Sequence, residues 1–84
     1  MQNFEFTVSD PVGIHARPAG VLVKQAQKLS SNITVTCNGK TADLKKLLSV
    51  MSLGAKCGDK ISVSVAGSNE IKDAEELKKI VEGI

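Results

Sequence analysis

Apolar and polar residues alternate in three stretches of the chain and fall at helical spacing in three others. Phe4, Phe6 and Val8 share one face of a strand, as do Ile33, Val35 and Cys37, because successive side chains of a strand point to opposite sides. The cleanest alternation places Ile61, Val63 and Val65 on a strand expected at the centre of the sheet. Asn38 and Gly39 follow the second strand and suit a type I′ hairpin turn. Lys40-Thr41-Ala42-Asp43 is then a short returning strand, antiparallel to the one before it.

The first helical pattern has Ala19, Leu22, Val23 and Ala26 on one face, with Lys24, Gln25, Gln27 and Lys28 off it. Pro18 fits only near the start of that helix, where a missing N–H costs no hydrogen bond. Gly20, inside it, costs about 1 kcal/mol relative to alanine, and reads either as a point where a partner surface approaches or as a simply tolerated glycine. From Leu44 to Leu53 the pattern is ambiguous. Leu44, Leu47, Leu48 and Met51 share helical spacing, while Val50 and Leu53 lie to the other side. A helix of about two or three turns cannot bury apolar groups all round against one sheet. Either the segment is enclosed or part of it is an exposed apolar patch of the kind that marks interaction sites. Gly54 is a stop signal for this helix. The last helix follows Gly67, with Ser68 or Asn69 as its N-cap. Ile71, Ala74, Leu77, Ile80 or Val81, and Ile84 form its buried stripe. Its carboxylates, interleaved with lysines, read as a solvated face.

Strand, helix, strand, strand, short helix, strand, helix is the order of an α+β domain with one sheet and helices on one face. No repeat, linker or low-complexity stretch divides the 84 residues, so residues 1–84 are read as a single domain. Aromatic residues are 2% of the chain, all phenylalanine. The core is therefore aliphatic, and the composition argues against a base-stacking platform for nucleic acid. A net charge of +2 is too mild to imply nucleic acid or a membrane surface. The two cysteines are far apart and in no CxxC pair. They read as reduced thiols of a cytoplasmic protein with no metal site. Signal-peptide, lipidation and membrane-spanning patterns are all missing from the sequence.

Candidate chemistry gathers in Gly13-Ile14-His15-Ala16-Arg17-Pro18-Ala19, which holds the one histidine and the one arginine. A lone histidine rules out paired-histidine metal motifs, and no nucleophile elbow or nucleotide-binding glycine pattern is present. No complete apparatus for turning over a small molecule is visible. A histidine just before a helix, with a guanidinium two residues on, can instead carry a phosphate. The imidazole is largely neutral and nucleophilic near pH 7. Helix N–H groups and the arginine fork both favour the added anion.

Two motifs together resemble the HPr family, the histidine-containing phosphocarriers of the bacterial sugar phosphotransferase system. The first is the stretch around His15. The second runs through Asn38-Gly39-Lys40, Leu44-Lys45-Lys46-Leu47-Leu48 and Val50-Met51-Ser52-Leu53-Gly54. The resemblance spans essentially the whole chain. It implies an open-faced β-sandwich of four antiparallel strands covered on one face by three helices. It implies that His15 takes a phosphoryl group from phosphorylated enzyme I, whose donor is phosphoenolpyruvate, and passes it to a sugar-specific enzyme IIA. Arg17 would be the phosphate partner. Gly20, Lys24, Leu47, Leu48 and Met51 would form the docking face. Such a protein is a covalent carrier rather than a stand-alone enzyme, needs no cofactor, and acts as a monomer.

One position departs from the family. Many relatives carry a regulatory serine directly after the lysine of the second motif, and here Lys46 stands there. Control by a serine kinase is therefore not expected. The alternative reading is a regulatory paralogue, in a nitrogen-type relay or as a protein-binding regulator, that keeps the histidine motif but feeds no sugar uptake.

Overall fold

The computed structural model describes residues 1–9 and 16–81, with side chains of the first helix described from Ala19 onward. The elements are β1 (Gln2–Thr7), α1 (Ala16–Gln27), β2 (Asn32–Cys37), β3 (Lys40–Asp43), α2 (Leu47–Met51), β4 (Lys60–Ala66) and α3 (Glu70–Val81). The four strands form one antiparallel sheet in the order β1-β4-β2-β3, with β4 between β1 and β2 as its uninterrupted alternation predicts.

Register explains why one face is apolar and the other polar. Phe4 pairs with Val63, Val63 with Val35, and Val35 with Ala42, so a single row of apolar side chains crosses the sheet. One residue along, Glu5, Ser62, Thr36 and Thr41 form the next row on the opposite face. There Ser62 Oγ donates to Glu5 Oε2 at 3.1 Å, and the Thr36 and Thr41 hydroxyls lie 3.3 Å apart. The apolar face is closed by Ala19, Leu22, Val23 and Ala26 of α1, Val50 of α2, and Ala74, Leu77 and Val81 of α3, all buried. The polar face stays open, which makes the fold an open-faced sandwich. The β2–β3 turn has φ of 52° at Asn38 and 79° at Gly39, the paired positive values that a type I′ turn needs.

The last helix differs from its sequence reading. Ile71 is exposed, while Asp73 is buried. Seen down the helix, Ile71 lies about 120° from Leu77 and Asp73 only about 40°. Asp73 tolerates burial because its Oδ2 accepts two hydrogen bonds from Ser31, from the backbone N–H at 3.1 Å and the hydroxyl at 2.6 Å. The chain leaving β4 packs tightly on the same residue. A Cβ on Gly67 would lie 3.1 Å from Ser31 Cα, closer than packed carbons normally approach. Asn69 O accepts the Asp73 N–H at 2.9 Å, so Asn69 stands at the helix start, with its side-chain amide donating to Ser30 Oγ. Ile84 lies outside the described residues.

Candidate functional site

The ambiguous segment resolves into one buried and one exposed side. Only Leu47–Met51 is helical, and Leu44 precedes it in the turn after β3, buried rather than on the exposed helical face. Val50 and Leu53 point into the core. Leu47, Leu48 and Met51 face outward, with Leu48 at 81% exposure. A short helix has only one side to give to the sheet, so its remaining apolar residues are left at the surface.

Hydrogen bonds place this surface beside α1. Gln27 Nε2 donates to Lys45 O at 3.0 Å, and Lys45 Nζ donates to Leu29 O at 2.7 Å, just past the end of α1. A cation suits a helix C-terminus, where carbonyls are left without N–H partners. Gly20, Lys24 and Gln27 follow one another at i, i+4 and i+7, so they share the stripe of α1 that meets the α2 segment. The sequence reading missed Val21, which is 52% exposed and sits one turn from Lys24. The available signal was its position off the buried stripe of Ala19, Leu22, Val23 and Ala26.

Among the described residues, nothing requires glycine at position 20. It lies within α1, has no positive φ, and a Cβ there would meet no described atom within 4 Å. The helix forgoes about 1 kcal/mol of propensity at this position with no compensating contact among the described residues.

His15 lies outside the described residues. Arg17 belongs to the first turn of α1, and its side chain lies outside them too. On the upstream side, the chain leaving β1 is pinned by Val8 N–H to Asp59 O at 2.9 Å and by Gly58 N–H to Val8 O at 2.8 Å. Downstream, α1 begins at Ala16, the residue after the histidine. The two thiols are free. Cys57 is exposed, and its Sγ stands 3.9 Å from Ser9 O. Burial pushes the Cys37 thiol above its ordinary value, and the Asp59 carboxylate adds to the shift.

Lys46 occupies the start of α2. Its backbone is extended, at φ −119° and ψ 111°, and its side chain makes no capping hydrogen bond. Lysine has no acceptor to offer the first-turn N–H groups.

Nothing described suggests an internal reaction chamber. The void beneath Phe6, Leu22 and Leu77 has a volume of about 10 Å³, room for roughly one water molecule. No group of three or more His, Cys, Asp or Glu side chains is placed to hold a metal among the described residues. No described helix is long and apolar enough to cross a membrane.

Residues 2–83 match the PTS-HPr family, described as the PTS HPr component phosphorylation site. The chain is 39% identical to phosphocarrier protein HPr of Mycoplasma capricolum over 79 residues, covering 94% of this chain and 89% of that protein. It is 42% identical to phosphocarrier protein HPr of Lysinibacillus sphaericus over 81 residues, covering 96% of this chain and 92% of that one. Among solved structures, HPr-C-His of Thermoanaerobacter tengcongensis superposes with a TM-score of 0.92 at 31% identity, covering 99% of this chain and 93% of that chain. A dimeric HPr structure from the same organism gives a TM-score of 0.77 at 31% identity, covering 99% and 95%. From the fold, the outward-facing α2 and these matches together, the chain belongs to the HPr family of phosphocarriers of the phosphotransferase system.

Proposed function

We propose that His15 accepts a phosphoryl group from phosphorylated enzyme I and passes it to a sugar-specific enzyme IIA. A neutral ring nitrogen attacks the phosphorus of the donor. A new N–P bond forms as the donor's own bond to phosphorus breaks, and a second displacement reverses the roles on the acceptor. Arg17, two residues on in the first turn of α1, is the counter-charge for the phosphate. The single observation that supports this reading is the exposed apolar face of α2 alongside the α1 stripe of Gly20 and Lys24. A carrier with no internal pocket among its described residues needs a surface on which larger proteins bring the rest of the transition-state stabilisation. Leu47, Leu48 and Met51, with Gly20 and Lys24, are the residues we assign to that docking. Residues 1–84 act as one HPr-like domain in the cytoplasm, as a monomer in the relay. The dimeric relative makes the oligomeric state a point for sedimentation measurements.

Lys46 removes the hydroxyl that serine control requires, so the carrier runs without that switch. The test is a reconstituted relay with phosphoenolpyruvate, enzyme I, this chain and a panel of IIA proteins. Phosphate reaching a sugar-specific IIA only when the chain is present supports the reading. Transfer confined to a regulatory IIA marks a paralogue outside sugar uptake. No passage of phosphate overturns the reading.

A further inference from the structure

The charge around the exposed α2 face is mostly basic, with Asp43 the acidic residue at the turn before it. Residues 16–28 and 44–53 contain Arg17, Lys24, Lys28, Lys45 and Lys46 and no aspartate or glutamate. Carboxylates gather instead on α3, as Glu70, Asp73, Glu75 and Glu76. Of the two lysines before α2, one is committed. The Lys45 ammonium is held by the Leu29 carbonyl, and its backbone N–H by Asp43 Oδ1 at 2.9 Å. The adjacent Lys46 is exposed and caps nothing, and its side chain has no partner among the described residues. It stands directly before Leu47 and Leu48, at the rim of the apolar patch.

We propose that Lys46 is a specificity-determining docking charge. Its ammonium engages a carboxylate bordering the apolar cleft of a protein partner that receives Leu47, Leu48 and Met51. The occupant is fixed by complementarity. A rim that stays net basic even with the nearby Asp43 carboxylate, which accepts the Lys45 N–H, favours an acidic border, and an apolar patch of three side chains favours an apolar floor. A charge at a rim acts mainly on encounter and on discrimination between partners, and salt screens it. Lysine at this position therefore selects partners with acidic borders and disfavours those with basic ones. This inference rests on the docking face assigned above, but not on phosphate transfer itself.

The test is calorimetric titration of unphosphorylated enzyme I into the full chain and into Lys46→Gln, Lys46→Glu and Lys46→Arg variants, at low and high salt. Far-UV circular dichroism first establishes that each variant keeps the wild-type spectrum. Loss of one rim charge is expected to weaken binding about two- to fivefold at low salt, and the glutamate variant more. Lys46→Arg is expected to bind like wild type. The differences are expected to vanish in about 0.5 M salt, where the screening length falls to a few ångströms. A Lys46→Gln variant with wild-type affinity and wild-type salt dependence overturns the proposal. So does a deficit that persists undiminished at high salt, since a screened charge cannot produce it. Failure of His15 to take phosphate would be seen in the relay experiment and would leave these affinities unchanged.

Discussion

Gly20→Ala separates what the fold needs from what a partner needs. The position is interior to a helix of 12 residues, so alanine gains the full difference in propensity, about 1 kcal/mol. Part of that gain arises in the unfolded chain, which loses freedom when glycine is replaced. Packing contributes little in either direction, because the new methyl group meets no described atom within 4 Å. For a domain of this size, 1 kcal/mol corresponds to a rise in Tm of about 4–8 °C. With no tryptophan or tyrosine in the chain, unfolding is best followed by far-UV circular dichroism, in heat and in urea. The same methyl group projects from the stripe that also carries Lys24 and Gln27. It holds a docked surface away from α1, and overpacking of that kind costs about 1–3 kcal/mol. The variant is therefore expected to be more stable than wild type and a poorer phosphoryl acceptor from enzyme I, with the loss appearing in KM. A variant that melts at or below the wild-type temperature refutes the description of open space at Gly20. A stabilised variant with unchanged KM refutes the partner argument.

Further outcomes follow from two buried groups, Asp73 and Cys37. Asp73→Ala leaves the N–H and hydroxyl of buried Ser31 without an acceptor. It should cost about 2–3 kcal/mol in urea unfolding, with the midpoint shifted and the slope unchanged. Thiol labelling near pH 8 should show one fast site at Cys57 and one slow site at Cys37, because burial both covers the Cys37 sulfur and raises its pKa. As that folded-state value is raised, stability should be fully present below the ordinary thiol value of 9.0 and fall as the pH rises above it. Cys37→Ala should flatten that fall, and equal labelling rates for the two cysteines would contradict the assignment.

Where a side chain's neighbours lie within a few residues, the sequence was a sufficient guide. The strands at Phe4–Val8 and Ile33–Cys37 could be read from alternation, and the turn at Asn38 and Gly39 from the need for two positive φ values. Alternation in Ile61–Val65 marked a strand that is interior to the sheet, although β2 is interior too and the edge strand β1 also alternates. Asp73 was illegible because its burial depends on Ser31, 42 positions away, and helical periodicity counts only apolar residues. Ile71 was assigned to the buried stripe because its spacing from Ala74 fits, although the stripe drifts round the helix and leaves Ile71 behind. Leu44–Leu53 could be narrowed to two alternatives, and only packing decided between them. The exposure of Leu47, Leu48 and Met51 was one of those alternatives, and their assignment to docking comes from the family motif. Val21 belongs to no motif, and only its position off the buried stripe of α1 marked it as exposed.

The central claim is that His15 carries the phosphate, and mapping the phosphoryl group tests it most directly. The full chain is incubated with enzyme I and phosphoenolpyruvate, and the product is analysed as intact protein and as peptides kept at alkaline pH. The account predicts one added phosphoryl group on the peptide containing His15, stable to base and lost in acid, and absent from His15→Ala. An adduct that survives acid, maps to another residue, or persists in His15→Ala would contradict it.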